Sequence, residues 1–133
     1  MERIDLYDTT LRDGMQAEGV SFSLQDKMLV ARRLDEFGID YIEGGFAGSN
    51  PKDIEFFTKL AKLNLANSKV AAFGSTRRAR TKVSDDPSLA AIVACKTPAA
   101  TLVGKTWDLH VTDVLGCDLD ENLKICSESV KYI

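Results

Sequence analysis

Four clusters of polar residues recur along the chain, each placed just after an apolar stretch. The first is Arg12-Asp13, followed by Gly14, Met15 and Gln16. A guanidinium offers a planar fork of donors that can polarise a carbonyl or stabilise an enolate. The carboxylate of Asp13 suits a hard divalent cation, which takes oxygen ligands, and Gln16 can bind a substrate oxygen. The same residues also read as a surface ion pair on a loop turned by Gly14. The second cluster is Glu43, which follows apolar Ile42 and precedes Gly44, Gly45 and Gly48. A carboxylate at that place needs a partner, because burying it unpaired is costly; Arg12 or a bound metal would serve. The glycines permit close backbone approach, or else they make a flexible turn with Glu43 in solvent.

The third cluster runs from Gly74 to Lys82 and holds Arg77, Arg78 and Arg80. It fits contact with phosphate groups, contact with RNA, or a solvated basic loop. No aromatic residue is interleaved for base stacking, and neither G-x-G-x-x-G nor G-x-x-x-x-G-K-[ST] occurs. The fourth, Gly104 to Asp113, contains His110, the single histidine of the chain. His110 can line a pocket or move a proton, or serve as a hydrogen-bonded structural residue beside Trp107.

The elements that would position these clusters alternate. Arg3–Thr9 reads as a strand. Ser23 caps a helix with Asp26 in the capping-box position. Leu24, Met28, Ala31, Val30, Leu34 and Phe37 form its apolar face, and Gly38 stops it. Ile39–Phe46 is a second strand. Asn50-Pro51 reads as a cap and first position of a second helix, with Ile54, Phe57, Leu60 and Ala61 facing inward. Val70–Phe73, Pro87–Ala94 and Ala100–Val103 give strand, helix, strand. Asp118 or Asp120 caps a last helix with Leu123, Cys126 and Val130 on one face. The order β-α-β-α-β-α-β-α predicts an α/β fold with a parallel sheet and right-handed crossovers. In such folds sites collect at the carboxyl ends of strands, where these clusters fall. A (β/α)8 barrel needs about 250 residues, so four βα units make half of one.

Composition narrows the function. The chain has 133 residues, a net charge of −3 and 44% hydrophobic residues, ordinary for one globular unit with a core. The acidic balance argues against duplex nucleic acid as a partner. No apolar run approaches the ~20 residues of a membrane span, and no secretory signal is visible at Met1–Asp5. Three cysteines without a C-x-x-C speak against a disulfide scaffold or a structural zinc site, and a reducing cytoplasm is the simplest compartment.

The stretch Leu6-Tyr7-Asp8-Thr9-Thr10-Leu11-Arg12-Asp13-Gly14-Met15-Gln16 resembles the signature of the DRE-TIM metallolyase superfamily. That group includes isopropylmalate, homocitrate and citramalate synthases and hydroxymethylglutaryl-CoA lyases. Asp40–Asp53, Phe73–Arg78 and Trp107–Thr112 are most similar to the citramalate synthase branch, and the resemblance runs from Ile4 to the end of the chain. It implies the amino-terminal half of a TIM barrel, with residues 1–133 forming a partial catalytic domain and the second half-barrel and carboxyl-terminal domains lying outside it. It implies a metal-assisted Claisen-type condensation of acetyl-CoA with a 2-oxoacid, pyruvate giving citramalate on a route to isoleucine. By position in the signature, Asp13 would ligate the divalent metal (Mg, Mn or Zn). Arg12 would contact the carbonyl oxygen, Gln16 and His110 would line the substrate site, and Glu43 would sit beside Arg12 and the metal.

The His-x-His metal pair of that superfamily cannot occur in a chain with one histidine. The 133 residues alone are therefore expected to have little synthase activity, and open strand edges predict self-association, as a homodimer of half-barrels for example. A sister synthase or lyase activity, or a non-catalytic interaction module, are the competing readings.

Overall fold

A computed structural model describes residues 2–48 and 51–133 of the chain. Four parallel strands, β1 (Tyr7–Asp8), β2 (Tyr41–Phe46), β3 (Lys69–Ser75) and β4 (Ala99–Val103), lie in the order β1-β2-β3-β4. They alternate with helices α1 (Leu24–Phe37), α2 (Pro51–Leu60), α3 (Pro87–Cys95) and α4 (Leu119–Tyr132). This is the expected run of four βα units. Asn50, read as the cap of α2, lies outside the described residues.

Local chemistry explains the boundaries. Ser23 and Asp26 form the reciprocal capping box of α1, and Gly38 ends that helix in the left-handed conformation. Asp86 caps α3 by accepting from the N–H groups of Ser88 (2.9 Å) and Leu89 (3.1 Å), and Asp118, one of the two candidates, caps α4. The first strand is much shorter than the expected Arg3–Thr9. Before Tyr7, the Leu6 carbonyl still accepts from the Tyr41 N–H (2.9 Å), but the Asp40 carboxylate takes the other side, accepting from Arg3 (2.5 Å) and from the Leu6 N–H (2.9 Å).

The core lies between the sheet and its helices, with Leu11, Ala31, Ile42, Phe56, Phe57 and Leu89 at its centre. Several expected inward residues differ. Phe37 is 81% exposed, and Ile54, Leu123 and Val130 are also exposed. Ala61 is exposed and lies just past the end of α2. Lys27, Asp35, Asn122 and Ser129 are buried instead. Polar residues reach these places because each has a partner. Asp35 accepts from the backbone N–H groups of Ala66 (2.9 Å), Asn67 (2.7 Å) and Ser68 (2.7 Å), which fixes the entry to β3. Lys27 donates to Asp53 (2.6 Å) and lies 4.5 Å from the centre of the Phe56 ring.

Two features of the sheet matter for the site. Between Glu43 and Gly45 the pairing of β2 with β3 shifts by one residue, so that Glu43 pairs with Ala71, Gly45 with Ala72, and Phe46 with Phe73. The extra residue, Gly44, lets both Glu43 and Phe46 face the side away from the helices. A Cβ at Gly44 would lie 2.9 Å from Phe57 and 3.0 Å from Phe56. At Gly45, where φ is +148°, a Cβ would lie 3.1 Å from both the Asp53 carboxylate and the Lys27 ammonium. The glycines thus serve packing of the helices and the buried ion pair against the bulge. The second feature is curl. Strands β1 and β4 are three strand spacings apart, about 14 Å in a flat sheet. Yet the Tyr7 hydroxyl lies 2.5 Å from the Thr101 hydroxyl. The sheet therefore wraps around its helix-free face, as the wall of a barrel does.

Candidate active site

The concave face carries a connected polar chain at its carboxyl-terminal rim. Its foundation is the turn after β1. Asp8 accepts from the Thr10 N–H (2.9 Å) and hydroxyl (3.0 Å). The Thr9 carbonyl accepts from the N–H groups of Arg12 (3.1 Å), Asp13 (2.8 Å) and Gly14 (3.1 Å). Leu11 plugs into the core at 1% exposure, so the next side chain, Arg12, emerges on the concave side. Asp8 and Thr9 make this turn. Gly14, expected to make it, has no left-handed backbone and has room for a Cβ.

Arg12 and Glu43 meet. The Nε of Arg12 donates to Oε2 of Glu43 at 2.5 Å, and Nη1 donates to Asp13 at 2.9 Å. The guanidinium carbon lies 4.3 Å from the centre of the Phe73 ring, which packs edge-on against Phe46. Glu43 is 1% exposed, and its other oxygen, Oε1, accepts from the Tyr7 hydroxyl at 2.9 Å. Burial pushes the Tyr7 phenol up to about 12, so it stays protonated as a donor throughout the neutral range. Two bonds and a ring face thus fix Arg12, while Nη2 has no protein partner among the described residues and part of the side chain reaches solvent. Such a fork can donate to an oxygen carrying developing negative charge without reorganising.

Gln16 and His110 lie outside this hydrogen-bonded chain. Gln16 is exposed on the short turn Gly14–Gln16, and His110 is half-buried at the start of the helical turn His110–Leu115, its ring 4.7 Å from that of Trp107. Both still sit on loops that follow strand ends. Tyr7 and Thr101 were not legible as site residues: alternation set Tyr7 on the polar side of its strand, and only the curl of the sheet brings Thr101 to it.

Within the basic cluster, one residue departs from the reading. Arg77 is 6% exposed and donates to Glu121 (3.0 Å) and Glu128 (2.8 Å) of α4, while its N–H donates to Ser129 (2.9 Å). It ties the end of β3 to α4 and is spent within the protein. Its charge is balanced by these glutamates rather than by solvent, while Arg78, Arg80 and Lys82 are exposed, as in the solvated basic loop.

Among the described residues, no three His, Cys, Asp or Glu side chains gather to hold a metal ion. Asp13 offers an exposed carboxylate at the rim. One such donor does not satisfy a divalent cation, so the described residues do not by themselves gather a metal's ligands. No described helix is long and apolar enough to cross a membrane.

The chain is 55% identical to the (R)-citramalate synthase of Aquifex aeolicus (strain VF5) over 132 residues, 99% of this chain and 25% of that one. It is 49% identical to the (R)-citramalate synthase of Geobacter sulfurreducens over 133 residues, again with 25% of the relative covered. The chain therefore spans about a quarter of the length of the curated relatives it matches. The crystal structure of Bacillus subtilis HMG-CoA lyase matches the fold with a TM-score of 0.69 at 18% identity, over 97% of this chain and 42% of the lyase. The HMGL-like family itself matches residues 3–133, which is nearly the whole sequence and includes every residue of the Arg12–Glu43 site: the chain belongs to the HMGL-like family.

Proposed function

We propose that these residues are part of an acyltransferase that condenses acetyl-CoA with pyruvate to give citramalate. The observation that supports it best is the Arg12 guanidinium, locked by Glu43 and Phe73 with one edge left open at the strand ends, in a chain 55% identical to an (R)-citramalate synthase. In the reaction the acetyl methyl group loses a proton and its carbon attacks the keto carbon of pyruvate. The keto oxygen becomes an alkoxide and takes up a proton; water then cleaves the thioester, giving citramalate and free CoA. The open edge of Arg12 donates to the keto oxygen and stabilises its charge during attack. Glu43 holds Arg12 in place and balances its charge. Gln16 and His110, on neighbouring loops, line the pyruvate side of the site.

The carboxylate of Asp13 would be one ligand of a divalent cation, which supplies further polarisation of the 2-oxoacid when bound. Its remaining ligands would come from outside these 133 residues, from further βα units that complete a (β/α)8 barrel. The full-length protein would work in the cytoplasm on the route to isoleucine.

The test is release of free CoA by the full-length protein from acetyl-CoA with a panel of 2-oxoacids in the presence of Mn²⁺. Release that depends on pyruvate, with weak response to 2-oxoisovalerate and 2-oxoglutarate, is the expected result. A preference for either of the others moves the protein to a sister synthase.

A further inference from the structure

The Glu43 carboxylate is buried, and each of its oxygens has a specific donor: Arg12 Nε on Oε2, and the Tyr7 hydroxyl on Oε1. The single phenolic proton of Tyr7 goes to Glu43, so the contact between Tyr7 and Thr101 has Thr101 donating. A directed chain therefore crosses the whole curled sheet: Thr101 of β4 to Tyr7 of β1, Tyr7 to Glu43 of β2, and Arg12 from the β1 turn onto the same carboxylate. Without the phenol, Glu43 would have an unsatisfied buried oxygen. It would regain partners for both oxygens most cheaply by swinging off Nε onto the two terminal nitrogens of Arg12. That movement would turn the open edge of the guanidinium away from the rim.

We propose that Tyr7, oriented by Thr101, is a positioning residue that sets which edge of Arg12 faces the substrate, an inference that rests on the carbonyl-polarising role given to Arg12 above. Neither Tyr7 nor Thr101 needs to touch the substrate for this. Because Thr101 acts only through Tyr7, loss of both hydroxyls should cost no more than loss of the phenol alone.

The experiment uses the full-length protein with Tyr7→Phe, Thr101→Val, Thr101→Ser and the double variant Tyr7→Phe/Thr101→Val. Two readouts are taken: CoA release with acetyl-CoA, pyruvate and Mn²⁺, and solvent exchange of the Arg12 Nε proton by ¹⁵N NMR without substrate. Tyr7→Phe should lower kcat by roughly tenfold, about the worth of one hydrogen bond to a charged group, and change KM for pyruvate little. It should also speed Nε exchange by about the same factor. Thr101→Val should shift both in the same direction, Thr101→Ser should restore them, and the double variant should match Tyr7→Phe. Unchanged Nε exchange in Tyr7→Phe would overturn the proposal, as would additive losses in the double variant. If the unmodified protein releases no CoA with pyruvate, the functional reading fails, and the exchange measurement still decides whether Tyr7 positions Arg12.

Discussion

Replacing Asp53 by Asn would strand the Lys27 ammonium inside the protein. Lys27 is fully buried, its Nζ is 2.6 Å from Asp53, and the pair fills the space a Cβ at Gly45 of the β2 bulge would need. Breaking a buried pair by removing one partner costs about 3–5 kcal/mol. The amide of Asn still accepts one hydrogen bond, and the Phe56 ring still faces the ammonium, so the low end, about 3 kcal/mol, applies. The loss should be local to the bulge. Amide exchange reads it there: the Ala47 N–H, bonded to the Phe73 carbonyl at 2.8 Å, should exchange roughly a hundredfold faster. Lys27→Met with Asp53→Leu removes both charges and should recover most of the protection, within about 1 kcal/mol. If Asp53→Asn changes protection less than fivefold, or if the double variant is worse than the single, the ion pair does not hold the bulge and the reasoning fails.

Other perturbations have equally definite outcomes. Burial pushes the Asp35 carboxyl up, but its three backbone donors outweigh this and hold it below the usual carboxylate range. A depressed folded pKa contributes stability above the unfolded value of about 3.9, and this is lost as pH falls below it. Asp35→Asn should therefore be less stable at pH 7 and show a shallower acid limb in urea unfolding from pH 5 downward. Arg77→Ala should destabilise by about 2 kcal/mol, since the arginine is buried but Glu128 is half-exposed and screened, and should leave RNA binding in a gel-shift assay unchanged at nil. Gly44→Ala would drive a methyl into Phe57 and Phe56 and should cost about 1–3 kcal/mol by thermal unfolding.

The parts of the fold written in local signals were legible in the sequence. The capping box at Ser23 and Asp26, the stop at Gly38 and the βα alternation depend on neighbours within a few residues, and they stand as read. The pairing of Arg12 with Glu43 was within reach because both lie at strand ends, where a parallel fold must bring them together. What stayed hidden depends on distant partners. Lys27 and Asp35 look like surface residues until Asp53 and the Ala66–Ser68 backbone are placed beside them. Phe37, Leu123 and Val130 look like core by hydrophobic spacing alone, yet face outward. Arg77 reads as a loop charge because its glutamates lie 44 and 51 residues away. The two-residue length of β1 follows from Asp40, a side chain that takes one side of the ladder, which no periodicity reveals.

The central claim is that Arg12 polarises the keto group of a small 2-oxoacid. The most direct measurement compares pyruvate-dependent CoA release by the full-length protein with that of Arg12→Lys. Lysine keeps the charge but cannot hold Glu43 through one nitrogen and offer a planar edge with another. The expected result is robust release by the unmodified protein and a fall in kcat of roughly a hundredfold or more in Arg12→Lys, the scale of losing an oxyanion-stabilising donor. Equal kcat in the two proteins, or no pyruvate-dependent release in the first, would contradict the account.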